Sequence, residues 1–202
     1  KVFYRGIIDT GCNDDEKRHG LSRYVGKSIV WFDTSANKKK SQKRTKGGSY
    51  INEEEKRIIL EILDDLKSTG ELKGLDIGII TGYSGQKELL RKSIKATGLD
   101  KIASKIDINT LDAFQGREND IIIYSTVRTR DSIGFQKEKE RVNVAFSRAK
   151  KLLIVCGDKN FFYNFDDQDN KFVEIIDYIS EEEECEIIQC DGGKLFERES
   201  NS

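Results

Sequence analysis

The sequence predicts an α/β fold, with a mostly parallel sheet and helices on both of its faces. Three observations predict it. Short β-rich apolar runs at residues 29–32, 77–81, 106–110, 121–127 and 152–155 lack helical alternation, as strands buried on both faces require. Segments with apolar residues at helical spacing lie between most of them, so strands and helices alternate. Polar, ligand-like stretches join the apolar runs at residues 106–128 and 141–158, and open parallel sheets bind ligands at the ends of their strands.

The elements follow in order. Residues 14–18 form a charged turn, and residues 29–32 (I-V-W-F) a strand ending at Asp33 and Thr34. Residues 37–48 are a basic loop, N-K-K-K-S-Q-K-R-T-K-G-G. It reads either as a solvated loop or as a phosphate-binding strip; no aromatic residue interrupts it, so base stacking is not indicated there. Asn52 opens a long helix with capping-box-like spacing to Glu55. Ile58, Ile59, Ile62, Leu63 and Leu66 form its apolar face, and Gly70 and Gly74 end it. A strand at 77–81 leads to a helix at 86–96 with Leu89, Leu90 and Ile94 inward. After strands at 106–110 and 121–127 comes an expected helix at 138–150. Val142, Ala145, Phe146 and Ala149 would face its core, with Arg141 and Arg148 aligned along one edge. A strand at 152–155, helices at 159–165 and 170–179, an acidic run at 181–184 and an edge strand at 185–190 complete one domain, residues 1–190; residues 191–202 read as a tail.

A chain of 202 residues is long enough for one domain with a substantial core. Lys plus Arg number 35 and Asp plus Glu 36, so any basic surface must be local. No apolar run approaches a bilayer span, and no signal peptide opens the chain, so no membrane partner is expected. Cys12, Cys156, Cys185 and Cys190 form no C-x-x-C pair, which argues against zinc and for a reducing, cytoplasmic setting. Met is absent, so the chain is expected either to be an excised domain or to have residues missing from its sequence.

Three segments carry a specific resemblance. T-L-D-A-F-Q-G-R-E-N-D at 110–120 resembles motif V of superfamily 1 helicases, and R-V-N-V-A-F-S-R-A-K at 141–150 resembles motif VI. I-G-I-I-T-G-Y-S-G-Q at 77–86 is similar to the I-G-I-I-T-P-Y-x-x-Q segment of the Upf-type branch, with Gly82 in place of its proline. The three occur in the family's order, and weaker similarity, including F-Y-R-G at 3–6, reaches back to Lys1. The resemblance implies the RecA-like P-loop-NTPase fold, as the second lobe of a two-lobed motor.

It also implies roles for residues. Arg148 would be the catalytic arginine finger at the γ-phosphate, where a planar, permanently charged guanidinium suits phosphoryl transfer; from the residues alone a helix-surface arginine is the alternative. Gln115, Gly116 and Glu118, with Arg148, would bind nucleotide. Gly116 allows close backbone approach, and Glu118 can accept from ribose hydroxyls; a turn glycine and a surface carboxylate are the plain alternatives. Arg117 stays open between phosphate ligand and solvated charge. Thr81, Ser84 and Thr110 would touch the backbone of single-stranded nucleic acid, with helix capping an equal alternative for Ser84. The chain contains no G-x-x-x-x-G-K-[ST] and no following acidic pair. ATP and Mg²⁺ would therefore be held mainly by an N-terminal RecA-like lobe of the same polypeptide, and the chain alone is expected to be inactive. No metal site is expected within it. Two rivals remain: a catalytically inactive helicase-like binding module, and an unrelated doubly wound nucleotide-dependent enzyme.

Overall fold

In the computed structural model, residues 19–71, 74–99, 105–114, 116–168 and 170–196 are described; the segment resembling the family at 3–6, the turn at 14–18, Cys12 and Gln115 lie outside them. Six strands form one sheet in the order β5-β4-β6-β7-β1-β8, and every pairing in it is parallel. The strands are β1 (Ile29–Asp33), β4 (Asp76–Thr81), β5 (Lys105–Thr110), β6 (Asn119–Ser125), β7 (Ala149–Gly157) and β8 (Cys185–Gln189). Two short strands, β2 (Lys43–Arg44) and β3 (Tyr50–Ile51), pair antiparallel inside and after the basic loop.

Alternate strand residues feed two separate cores, as the period of two requires. On one face Val30, Phe32, Ile77, Ile79, Ile121, Ile123, Leu152 and Ile154 pack with α1 (Glu53–Ser68) and α2 (Ser84–Thr97) through Ile58, Ile62, Leu63, Leu90 and Ile94. On the other, Trp31, Ile80, Ile122, Tyr124, Leu153 and Val155 pack with α3 (Lys139–Phe146), α4 (Lys159–Tyr163) and α5 (Lys171–Glu181) through Val142, Ala145, Phe162, Phe172, Ile175 and Ile176. The central strands are therefore dry on both sides, and polar function is left to the two rims.

Two expectations meet differences. The helix expected over 138–150 ends at Phe146, where the Ser147 N–H closes on the Asn143 carbonyl. Ala149 already pairs with Asn119, so the A-K-K stretch belongs to β7, a nine-residue strand. Sheet pairing overrides local helical spacing here. Val142 and Ala145 are buried as expected, while Phe146 and Ala149 are half-buried against the same core. The segment after β8, read as a tail, returns to the protein: Phe196 meets Phe32 edge-on at 6.3 Å, and the Leu195 N–H donates to Glu61.

Asn52 caps α1 by accepting from the Glu54 and Glu55 N–H groups at 3.1 and 3.2 Å. Glu55 does not close the capping box on the Asn52 backbone; that N–H donates to Gln86 Oε1 at 2.8 Å. The fully buried Glu55 carboxylate instead crosses to the end of β6. It accepts from Ser125 Oγ at 2.6 Å, from the Val127 N–H at 2.9 Å to both oxygens, from Thr126 Oγ1 at 3.3 Å and from Asn52 Nδ2 at 3.1 Å. Val127 has φ +69°, and the Arg128 N–H donates to the Thr126 carbonyl at 2.8 Å, a tight γ-turn that a β-branched residue adopts only under constraint.

Burial pushes the Glu55 carboxyl up to about 8, against the opposing hydrogen bonds from Ser125, Val127 and Thr126. A carboxyl raised above its unfolded value, about 4.3, contributes stability that is complete below that value and lost as pH rises through about 8. Glu55→Gln removes the titration. In urea melts at pH 5 and pH 8.5, the wild type should lose stability relative to this variant on going to the higher pH. The loss should be on the order of a few kcal/mol; parallel pH profiles would refute the assignment.

Candidate functional site at the two rims of the sheet

The residues singled out in the sequence divide between opposite ends of the sheet. Thr81 and Thr110 end adjacent strands and pair in register, and Thr81 also pairs with Ser125. This is the C-terminal rim. Ser84 opens α2 just beyond it. Gly116 and Glu118 precede β6, and Arg148 precedes β7, so they lie at the N-terminal rim. They do not lie with Thr110 at the C-terminal rim, although residues 110–120 read as one motif in the sequence. The two rims are separated by the length of β6, about 20 Å at the usual rise of a strand.

At the C-terminal rim, Thr81 is fully buried; its carbonyl accepts the Leu111 N–H at 3.1 Å, and its hydroxyl has no partner among the described residues. Thr110 is half-buried and Ser84 exposed. Ser84 Oγ lies 3.4 Å from Ser49 Oγ, and the cap position of α2 is Tyr83, so Ser84 does not act as a helix cap. The basic loop is tied down beside this rim. Lys40 pairs with Asp158 at 2.7 Å, and Gln42 exchanges hydrogen bonds with Thr129 at 3.2 and 3.0 Å. Lys38, Lys39, Lys43 and Lys46 remain exposed.

At the N-terminal rim, the Arg148 carbonyl accepts the Asn119 N–H at 3.1 Å, which joins the segment before β7 to the segment before β6. The Arg148 side chain is half-buried. Its Nη2 donates to Ser147 Oγ at 2.9 Å, and its buried Nε has no partner among the described residues. Gly116 has φ +81° with open space around it, so its need for glycine is torsional. Glu118 is exposed and lines a cavity of about 540 Å³ with Asp76, Asp107, Arg117 and Asn119. Arg117 Nη1 pairs with Asp107 at 2.6 Å across it. A larger cavity of about 890 Å³ lies along the outer surface of α1, where Arg57 and Glu61 face Lys39 and Lys43 of the basic loop; it touches none of Thr81, Ser84, Thr110, Gly116, Glu118 and Arg148.

Arg141 and Arg148 do not share an edge. Arg141 sits in the first turn of α3, where Nε pairs with Glu138 at 2.8 Å, and Arg148 lies past the other end of the helix. Among the described residues no three His, Cys, Asp or Glu side chains cluster as a metal site, and no helix is long and apolar enough to cross a membrane. Cys156, Cys185 and Cys190 are buried free thiols.

Residues 111–118 link the two rims. A short 3-10 turn, Asp112–Phe114, buries Phe114 fully. A Cβ on Gly78, in the middle of β4, would lie 2.5 Å from Phe114 Cζ and 2.6 Å from Ile122 Cδ1. The glycine is thus required by close approach, and it seats this segment against the sheet between the hydroxyl rim and the arginine rim.

The chain is similar to proteins of known family. A family model described as an AAA domain matches residues 1–160. The chain is 38% identical over 144 residues to an uncharacterized ATP-dependent helicase of Methanocaldococcus jannaschii, covering 70% of this chain and 20% of that protein. It is 38% identical over 166 residues to helicase SEN1 of Saccharomyces cerevisiae, covering 77% and 7%. It is 30% identical over 165 residues to regulator of nonsense transcripts 1 of Caenorhabditis elegans, covering 78% and 15%. The chain thus spans a fifth or less of each of these relatives. Among solved structures, the C-terminal domain of a possible DNA helicase from a Lactobacillus matches with a TM-score of 0.41 at 15% identity, over 65% of this chain and 73% of that one. Ordered motifs, a six-stranded parallel sheet and a family match over most of its length place one conclusion beyond the fold itself: the chain belongs to the AAA domain family, in its Upf- and Sen1-type superfamily 1 helicase branch, as a C-terminal RecA-like lobe.

Proposed function

We propose that this lobe works as half of an ATP-driven motor on single-stranded nucleic acid, DNA or RNA. The observation that carries the reading is the division of the site into two rims joined by one seated segment. The N-terminal rim would receive nucleotide through Gly116, Glu118 and Arg148, and Gln115, which lies outside the described residues, would join them. The C-terminal rim would hold the strand's sugar-phosphate backbone at Thr110 and Ser84. Thr81, whose side chain is buried, would act there by holding Leu111 at the head of the linking segment. ATP and Mg²⁺ would be held mainly by an N-terminal RecA-like lobe of the same polypeptide, since this chain has no Walker A sequence. Magnesium there would neutralise phosphate charge, and Arg148 would add its guanidinium to the γ-phosphate as the lobes close. The reducing cytoplasm is the compartment we assign to its three buried thiols.

The 202-residue chain alone should show no turnover with magnesium-ATP and oligonucleotide. Activity near the ~10 s⁻¹ common among enzymes would end the half-motor reading.

The second test is Arg148→Ala in the two-lobed protein at saturating oligonucleotide. Turnover should fall by about 10³ to 10⁵, while thermal melting stays within about 0.5 kcal/mol of the parent. Arg148→Lys keeps charge but loses the planar fork and should be nearly as slow. A variant that melts normally and hydrolyses ATP at the parental rate removes Arg148 from the site.

A further inference from the structure

The C-terminal rim carries a row of aromatic and cationic side chains that the assignments above leave unused. The Arg128 guanidinium lies 4.1 Å from the Tyr50 ring centroid. Tyr50 meets Tyr83 edge-on at 5.6 Å, and Tyr83 meets Phe135 at 5.7 Å with planes tilted by 49°. The Arg141 guanidinium lies 5.0 Å from the Phe135 centroid. The row is rooted in the protein, with Arg128 and Tyr83 each 4% exposed, and ends in solvent at Phe135, which is 47% exposed. Among the described residues only Val25 and Tyr163 are comparably exposed large hydrophobics, and neither belongs to this row.

The Phe135 ring is held outward by its surroundings. Its neighbour Gln136 is buried. It donates through Nε2 to the Thr126 and Ile133 carbonyls at 3.0 and 3.2 Å and accepts from the Tyr124 hydroxyl at 2.7 Å. Gly134, at φ +62°, abuts the Tyr83 hydroxyl so closely that no Cβ fits there. A phenyl ring fixed in water forgoes the gain that burial would give it, so the loop spends rigidity on exposing a flat apolar face. That face adjoins the expected strand contacts, for Phe135 Cδ2 lies 4.0 Å from a Cβ position on Gly82, the residue after Thr81. The cations around the ring are engaged: Arg141 pairs with Glu138, Lys137 with Asp167 and Arg130 with Asp131, while Arg128, 4% exposed, lies over Tyr50 and donates to the Arg130 carbonyl. What the site offers is therefore a ring more than a charge, and the flat partner that matches it beside a sugar-phosphate path is a nucleobase.

We propose that Phe135, buttressed by Tyr83 and Tyr50 and flanked by Arg141, is a base-stacking residue of this lobe, gripping one base of the single strand without reading its identity. The inference rests on the nucleic-acid reading given above. Base–aromatic stacking is sequence-tolerant and adds to phosphate contacts without neutralising a phosphate.

The test uses the 202-residue chain and fluorescent oligo(dT) and oligo(rU) in anisotropy titrations at several salt concentrations. Phe135→Ala should weaken binding about 5- to 150-fold and leave the salt slope unchanged. Phe135→Trp should restore affinity, and its indole should be quenched on binding against the buried background of Trp31, the only native tryptophan. An oligonucleotide of abasic sites should bind the unmutated chain as weakly as oligo(dT) binds Phe135→Ala. That last comparison decides the matter even if the alanine variant fails to fold. If the unmutated chain binds normal and abasic strands equally, or the indole at position 135 is not quenched, or Phe135→Ala binds like the parent, the stacking site falls and the nucleic-acid reading survives. If the unmutated chain binds neither oligonucleotide, both fall together.

Discussion

The C-terminal rim depends on one buried carboxylate. Glu55 is fully buried, so its carboxyl oxygens are satisfied by donors that the fold brings to it. Those donors sit on residues 125–127, some seventy positions downstream, and on the capping Asn52. Asn52 in turn exchanges backbone hydrogen bonds with Gln86, whose amide also reaches Ser125 Oγ at 3.1 Å. The starts of α1 and α2 and the end of β6 are thereby locked as one unit. The γ-turn at Val127 is held inside that unit, and Arg128 leaves it aimed at Tyr50. Removing one member of such a network strands the others without solvent, so it stands or falls as a whole.

Much of the fold was legible because hydrophobic period reports burial directly. Ile58, Ile62 and Leu66 announced α1, and Ile121–Ile123 announced a strand dry on both faces, since side chains of both parities are apolar. What the period does not report is where a helix stops when a strand follows without a break. Val142, Ala145 and Ala149 hold helical spacing through the residue that the sheet claims, and only the partner at Asn119 ends the helix. Arg148 was therefore set on the helix, whereas it lies between α3 and β7.

The site was legible where chemistry is local and hidden where it is assembled. Gly116, Glu118 and Arg148 lie in compact stretches whose order is informative. Glu55 was hidden because an Asn followed three residues later by a Glu looks like a helix cap, and half of that reading holds. Tyr50, Tyr83 and Phe135 are scattered along the chain, each unremarkable beside its neighbours, and only the sheet order brings them into a row. Nor did sequence order reveal that residues 110 and 118 occupy opposite rims, because a motif written as one word suggests one place.

Gly78 shows what joining those places asks of the sheet. Strands favour branched side chains, and β4 otherwise supplies them, with Ile77, Ile79 and Ile80 around the glycine. At its midpoint the strand leaves out a side chain, and Phe114 occupies the space. Here the molecule gives up local strand preference for thickness: the layer above the sheet is thinned by one side chain, and the connecting segment runs close to the backbone. Position 78 is thus fixed by a neighbour thirty-six residues away in the chain, and even a methyl group there would push into the space that the Phe114 ring and the Ile122 side chain fill.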